Sequence, residues 1–374
     1  MLFIFSLLGL FCLANAVVLG APRPPYDSIV IGGGPAGLSA LSGLARVRRH
    51  VLLVDSGEYR NGQTTHMHDV IGWDGIQPAY FRDEARRLLK HYKTIKMMNG
   101  TVIGMKRLPG TNTLFSVSVK IYGKVRQRPW EYTARKVVIA TGLKDILPST
   151  SGIAENWGRG IYSCPWCDGH EYADQPLGLL CPLDKVANYV RKVLTLDTDI
   201  VAFVNGTDND EMRRLADQQF PQWEEYLKLH NVTIDNRTIT FLERLKKGEE
   251  VDKNPHLPSV PKDDLFSVHF TEGEPVERVA FLSSFPSRQR SDIGEKAGVI
   301  LTYEKLGVTN GGMLTNVPGI YAVGDANSDS SPNIPHAMYT GKKAAVAIHV
   351  ALEIEKQAAE LAEMARSPDI GRNA

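Results

Sequence analysis

Asp27-Ser-Ile-Val-Ile-Gly-Gly-Gly-Pro-Ala-Gly37 is the stretch whose reading decides the fold. Its first half is a β-branched run ending at Ile31, and its second half turns on Gly32, Gly34 and Gly37. A helical pattern follows through Leu38, Leu41, Leu44 and Val47, and then a second apolar run, Val51 to Val54, closes on Asp55. Strand, glycine turn, helix and strand make a βαβ unit. In such a unit the first glycine permits the tight turn, the second lets a pyrophosphate approach the backbone, and the third lets helix pack on strand. The amides at the helix N-terminus face the phosphates. An acid ending the second strand takes the ribose hydroxyls, and Asp55 stands there. A glycine-rich turn alone is a weak signal, but with every piece in register a nucleotide outweighs a structural turn. Pro35 and Ala36 in the turn and Ser56 after the acid join the predicted cradle.

Further out, Lys136 to Ala140 is another apolar strand, closed by Thr141-Gly142. Far beyond it, Gly319-Ile-Tyr-Ala-Val-Gly324-Asp325-Ala326 is a strand ending in Gly-Asp. In flavin enzymes with two dinucleotide domains such an aspartate holds the ribityl chain. Ala140, Thr141, Gly142, Gly324 and Asp325 therefore enter the site, and the cofactor expected is FAD. The ordinary alternative is a strand end, which two distant halves meeting at one site argue against. The expected fold class is α/β, with two Rossmann-like three-layer dinucleotide-binding domains and the FAD domain split by the second one. Residues 22–155 and 284–374 form the FAD domain, and residues 156–283 a middle NAD(P)-like domain, with a Pro- and Gly-rich crossing over 148–160. The middle domain carries strands at 177–181 and 200–204 and a helix at 186–196, while 207–263 reads as a solvated excursion with some helix. The last helix, 342–364, is expected to pack on the first domain.

The 374 residues hold 43 Lys and Arg against 42 Asp and Glu, so no charge excess points to a nucleic acid or an acidic membrane as partner. Residues 1–21 differ in kind. Leu2 to Ala21 carry no charge, and Ala14-Asn-Ala16 is a small-residue cleavage pattern after an apolar core, which reads as a secretory signal cut near 16. The segment lacks a Lys or Arg before its core and is long enough to span a bilayer, so an uncleaved anchor stays open. Sequons at Asn99, Asn205, Asn231 and Asn236 fit the same secreted or lumenal location.

Of four cysteines, Cys12 lies in the signal segment, leaving Cys164, Cys167 and Cys181. Cys181 sits in an apolar stretch and reads as a buried packing residue. Ser163-Cys164-Pro-Trp-Cys167-Asp168-Gly169-His170-Glu171 allows a disulfide to close across the first turn of a helix, where the N-terminus lowers a thiol pKa. Half a zinc site and an inert disulfide are the alternatives. A structural zinc wants a second Cys or His pair. His170 offers a third ligand but a fourth is not apparent, so redox chemistry is favoured and no metal is expected.

With these pieces in hand, the chain resembles the low-molecular-weight thioredoxin reductase family. More narrowly it resembles the fungal branch of FAD-dependent dithiol oxidases that close disulfides in small metabolites, of the gliotoxin oxidase type. The matching pieces are Gly32 to Gly37, Arg60-Asn61, His68-Asp69 with Trp73-Asp-Gly75, Ala140 to Gly142, Cys164 to Gly169 and Gly324-Asp325. The resemblance implies that Arg60 and Asn61 serve the cofactor, that Cys164 meets the substrate thiolate, and that Cys167 passes electrons to FAD. Asp168 matches the acid–base residue of the reductases, with His170 and His336 as alternatives; His336 lies in Asn333-Ile-Pro-His-Ala, a turn expected near the flavin. A small dithiol and O2 as substrates, H2O2 as product and a homodimer follow by the same resemblance.

One departure separates the branches. A reductase needs a second glycine turn for NADPH after the first strand of its middle domain, and here Leu177 to Leu180 is followed by Cys181-Pro-Leu-Asp-Lys-Val186. The basic cluster for a 2′-phosphate is also missing after Val204, where Asn205-Gly-Thr-Asp stands. NADPH binding is therefore not expected, and electrons are expected to run from thiols to flavin to oxygen. The competing readings are an NADPH-dependent disulfide reductase, a flavin-binding protein without turnover, and an oxidase of protein thiols.

Overall fold

The computed structural model describes residues 25–109, 114–124, 128–248, 261–309, 311–329 and 332–366. The expected signal segment with Cys12, and the part of the charged and Pro-rich run at 249–260, lie outside them.

Strand β1 (Tyr26–Ile31) leads into helix α1 (Pro35–Arg46) and β2 (Val51–Asp55), which lies parallel to β1 with Ser28 opposite Val51. After α2 (Pro78–Leu89), strand β3 (Ile95–Arg107) adds parallel to β2. Then β4 (Phe115–Ile121) and β5 (Trp130–Ile139) fold back antiparallel, and the end of β5 returns beside β1. Side-chain alternation sorts the core. Val30, Val51, Leu53 and Val138 face one layer, and Ile29, Ile31, Leu52, Val54, Val137 and Ile139 face the other. Burial on both faces is why these strands read as continuous apolar runs.

The chain then leaves through β6 (Leu143–Asp145), α3 (Ile153–Asn156) and β7 (Ile161–Tyr162) to the short helix α4 (Pro165–Asp168). Next come β8 (Leu177–Leu180), α5 (Val186–Val193), β9 (Ile200–Phe203), α6 (Asp210–Gln219), α7 (Trp223–Leu229) and β10 (Thr233–Asp235). Strands β11 (Ile239–Lys246), β12 (Leu265–Phe270) and β13 (Val276–Arg278) form an antiparallel layer, and β14 (Ala280–Ser283) completes a parallel sheet ordered β10-β9-β8-β14-β7. One face of that sheet packs on α5 and α7 through Val186, Val190, Trp223 and Leu227; the other packs on the antiparallel layer through Leu242, Phe266 and Val268. A Cβ at Gly178 would collide with Phe281, so glycine in β8 is what admits that ring.

On the way back β15 (Ser287–Gln289) pairs with β6, tying the outgoing chain to the returning one. After α8 (Ile293–Lys296), β16 (Leu301–Thr302) and β17 (Lys305–Leu306), strand β18 (Ile320–Ala322) joins the first sheet beside β5. The first sheet is thus built from two separated stretches with the second sheet inserted between them, as the fold class required.

Two expectations need correction. In the described part of the stretch 207–263 the expected helix is present as α6 and α7 and most residues are solvated. The stretch also supplies β10 and β11 to the sheets and buries Trp223, 2% exposed, so it is more than an excursion. The last helix, α9 (Ile334–Arg366), starts earlier than expected and packs on the first domain only along its first part. There Gly43 faces Ala345 so closely that a Cβ would fall 2.6 Å from the alanine methyl and has no room, and Gly341 lies against the Ala36 carbonyl. Ion pairs from Arg49 to Glu353 and from Arg135 and Lys136 to Glu355 end the attachment, and from Lys356 on every described residue is exposed. No helix among the described residues is long and apolar enough to cross a membrane.

Candidate active site

A cleft of about 450 Å³ runs from the end of β1 to the start of α4. One wall is Gly32, Gly34, Pro35, Ala36, Asp55, Ser56, Arg60, Asn61, Ala140, Thr141, Gly142, Gly324 and Asp325; the other includes Cys164, Cys167 and Asp168. Every predicted cofactor residue except Gly37 lines it.

The glycines divide their work as the turn requires. Gly32 has φ +112°, and a Cβ there would collide with the Ala140 carbonyl. A Cβ at Gly37 would strike the Gly32 carbonyl, so this residue lets helix meet strand without touching the cleft. A Cβ at Gly34 would meet nothing within 4 Å, which leaves that backbone face open at the first turn of α1. Asp55, 3% exposed, accepts the Gly33 and Gly57 amides at 3.1 Å through Oδ1. Its Oδ2 accepts the Tyr59 hydroxyl at 2.5 Å and pairs with Arg86. A ribose would therefore share this carboxylate with groups that already orient it. Arg60 grips Asp145 at 2.6 Å and Asp325 at 2.9 Å; burial opposes its charge, but the two carboxylates outweigh this and raise its pKa. Asn61 accepts from Arg82 at 3.3 Å. The Thr141 hydroxyl is buried without a partner among the described residues. An open backbone face at a helix start, an unpartnered hydroxyl and a fixed Arg–Asp pair fit FAD.

On the opposite wall Cys164 caps α4 and Pro165 opens it. Cys164 and Cys167 are disulfide-bonded, with Cα atoms 5.2 Å apart. Both half-buried sulfurs face the same space as the cradle. The Asp168 side chain keeps only partial exposure, and this opens into the cleft. Burial pushes its carboxyl up to about 6, against the pull of Lys262 and His68 and with Glu171 adding to the rise.

The other predicted groups divide. His170 is exposed and does not line the cleft, because the short turn after Asp168 swings it outward. Trp166 is 70% exposed and also stays outside. His336 sits in the first turn of α9, its Nε2 3.1 Å from Asp329, while Asn333 and Ile334 reach the cleft in its place. The sequence pattern missed the set around Asp168. His68 lines the cleft with Nε2 3.3 Å from Glu171 and Nδ1 3.5 Å from Asp74. Lys262 donates to Thr65 at 3.0 Å across the two domains. These pairings join residues far apart in the chain. The one local signal was the His68-Asp69 match itself.

The turn after β8 is filled. Cys181, Leu183 and Val186 are buried, and burial, with Asp184 beside it, pushes the Cys181 thiol up to about 12. The Leu183 amide is taken by Thr207 Oγ1 at 3.1 Å. Asp184 accepts from Gln219 at 2.9 Å and pairs with Lys185 at 3.0 Å. Asp208 is occupied by Arg213 through both oxygens. Among the sequons, Asn99, Asn205, Asn231 and Asn236 are all exposed; Asn205 accepts the Ile239 amide at 2.8 Å and Asn236 the Asp208 amide at 2.9 Å.

The family described as pyridine nucleotide-disulphide oxidoreductase matches residues 26–191. A probable thioredoxin reductase of Arthroderma benhamiae is 44% identical, covering 91% of this chain and 83% of that protein. A thioredoxin reductase of Leptosphaeria maculans is 30% identical, covering 80% of this chain and 86% of its own. Among solved structures, a putative thioredoxin reductase of Bacillus anthracis superposes with a TM-score of 0.74 at 25% identity, covering 88% of this chain and 99% of the other.

Proposed function

Because the chain belongs to the thioredoxin reductase-like pyridine nucleotide-disulphide oxidoreductases, FAD-dependent enzymes that work through a redox-active disulfide, we propose that this member runs as a dithiol oxidase. It closes a disulfide in a small molecule carrying two thiols and hands the electrons to O2, releasing H2O2. The observation carrying this reading is the filled turn after β8. Where a pyrophosphate turn carries glycines this one carries side chains: Leu183 is buried in the core of the middle domain, Asp184 adds a carboxylate that would repel a phosphate, and Thr207 already takes the Leu183 amide. A turn of this kind disfavours NADPH and supports the cysteine pair as the place where electrons come in.

The enzyme's disulfide is the immediate oxidant. A substrate thiolate attacks Cys164 Sγ, the S–S bond opens, and Cys167 leaves as thiolate. The second substrate thiolate attacks the substrate sulfur of the mixed disulfide, closing the product and releasing the Cys164 thiolate. Thiols are mostly protonated at neutral pH, so each attack needs its proton removed. Asp168 stands in the same cleft and is a base above about pH 6. FAD in the cradle supplies the two-electron chemistry that restores the disulfide. The uncharged N-terminal run and the exposed sequons support a secretory location. The exposed stripe Tyr339, Val346, Val350 and Ile354 on α9 supports a homodimer.

A second reading, NADPH-dependent disulfide reduction, is favoured by the names of the relatives. Two measurements on the holoenzyme separate them. Oxygen uptake with small dithiols, lost in Cys164→Ser, is the expected result, together with a flavin band that NADPH leaves unbleached under nitrogen. Rapid bleaching by NADPH would overturn the oxidase reading, and oxygen uptake unchanged in Cys164→Ser would leave the flavin without a link to the disulfide.

A further inference from the structure

The balance of 43 Lys and Arg against 42 Asp and Glu conceals an uneven distribution. At the end of the first domain opposite the cleft, the last turn of α1, the turn from α2 to β3 and the start of β1 come together. Arg46 donates to the Tyr92 hydroxyl at 3.4 Å, the Val51 amide donates to the Thr94 carbonyl at 3.0 Å, and the Tyr26 and His50 rings stack with centroids 4.4 Å apart. Arg46, Arg48, Lys90, His91 and Lys93 are all exposed there, and Arg48, Lys90 and Lys93 form no ion pair among the described residues. The acids beside them are taken. Asp27 accepts the His50 amide and faces Arg49, Glu353 pairs with Arg49, and Glu84 pairs with Arg87. Asp83, the exposed acid of α2, stands two turns before Lys90. Val47 and Leu88, 41% and 49% exposed, add apolar surface in the same turns.

Cations at helix ends are ordinary, because they complement the helix dipole. Two observations go beyond that. The first is Arg48, which closes α1 with φ +59°; its amide donates to Ala45 at 3.0 Å and the Arg49 amide to Leu44 at 3.1 Å. Glycine is the residue this left-handed position favours, and here an arginine is held in it, pointing its charge outward. The second is where the chain enters. Pro25 is exposed at this face, and Leu2 to Ala21, the run without a charge, ends four residues earlier, within a reach of about 14 Å. An apolar run long enough to span a bilayer therefore joins the body beside its unpaired cations.

We propose that this end of the molecule docks on a bilayer carrying anionic lipid headgroups, with Leu2 to Ala21 kept as the tether and Arg46, Arg48, Lys90 and Lys93 against the headgroups. Each cation near such a surface adds attraction that salt screens. Helix α1 starts in the cleft wall at Pro35 and ends at Arg46, so the cleft stands about 18 Å back from this face, open to water. The inference is independent of the direction in which electrons flow.

The test takes the full holoenzyme from secretory expression, reads its N-terminus by intact mass, and reconstitutes it in phosphatidylcholine vesicles with or without phosphatidylserine. A water-soluble acylating reagent then labels the lysines, which are counted by mass. Lys90 and Lys93 are expected to label about fivefold or more slowly with phosphatidylserine present and to regain their rate in high salt. Lys296, exposed on α8, is expected to label equally throughout. Arg48→Gly puts in the residue its backbone favours, so melting and flavin content are expected to be no lower than in wild type, while protection of the lysines falls by about fivefold. A chain recovered without the apolar run would overturn the proposal. So would equal labelling in the two vesicles, or protection kept in full by Arg48→Gly. Equal protection by a soluble anionic polysaccharide beside phosphatidylcholine vesicles would assign the face to that polymer instead. An Arg48→Gly protein that melts lower would assign Arg48 to the fold and likewise count against the membrane.

Discussion

Two buried carboxyls of the middle domain put burial to different ends. Asp168 faces the cleft, where a raised pKa makes a usable base. Asp197 is 1% exposed; its Oδ1 accepts the Gln175 amide at 3.4 Å and its Oδ2 has no partner among the described residues. Burial pushes this carboxyl up to about 7. Its folded value lies above the unfolded one near 3.9, so the folded state holds the proton more tightly. The resulting stability is complete below about pH 4 and lost as pH rises through about 7. Asp197→Asn is therefore expected to match wild type near pH 4 and to exceed it at pH 8 by about 2–4 kcal/mol, the cost of ionising an unpaired buried carboxylate. Urea melts at the two pH values check this, and equal gains at both would contradict it. At this scale the sequence was legible where chemistry is local. Gly32, Gly34 and Cys164 declare themselves by spacing, whereas the His68–Glu171 contact joins distant segments and left no periodic trace. His170 drew attention through adjacency to Asp168, but adjacency in a short helical turn does not mean sharing a face.

Among elements, the turn from β1 to α1 separates folding from binding. Gly32→Ala puts a side chain at a positive φ and into the Ala140 carbonyl, so a loss of about 3 kcal/mol or more is expected in the protein with or without cofactor. Gly34→Val projects into open space and is expected to leave the stripped protein's melting unchanged within about 0.5 kcal/mol while weakening FAD retention severely. Dialysis against excess FAD followed by flavin quantitation distinguishes the two, and full flavin content in Gly34→Val would contradict the phosphate assignment. The parallel strands were easy to read, because burial on both faces makes them unbroken apolar runs. The stretch after Thr207 was not. Met212, Ala216, Trp223 and Leu227 are spaced among charges, and β11 gains its partner only when β12 arrives from beyond the charged run. Strands of that kind are specified by pairing that a single window does not contain.

Across the whole molecule, the cleft has one wall from each domain, held in place by the β6–β15 pair and the Lys262–Thr65 bond. A ligand filling it stabilises both walls at once. Stripped of FAD, the protein is expected to unfold in two calorimetric steps; FAD at about a hundredfold its Kd adds about 2.7 kcal/mol and draws the steps together. Transitions that stay apart, or do not move with FAD, would contradict a shared cleft. At its opposite end the molecule offers something unrelated to electron flow. Helix α9 begins at the cleft with Ile334 and ends at Arg366, about 48 Å away at 1.5 Å per residue. Its last stretch, from Lys356, lies outside the packed body. A carrier spliced there in helical phase would be held as on a mast. The enzyme could then be anchored to an electrode or bead by that end, its catalytic mouth pointing away from the support.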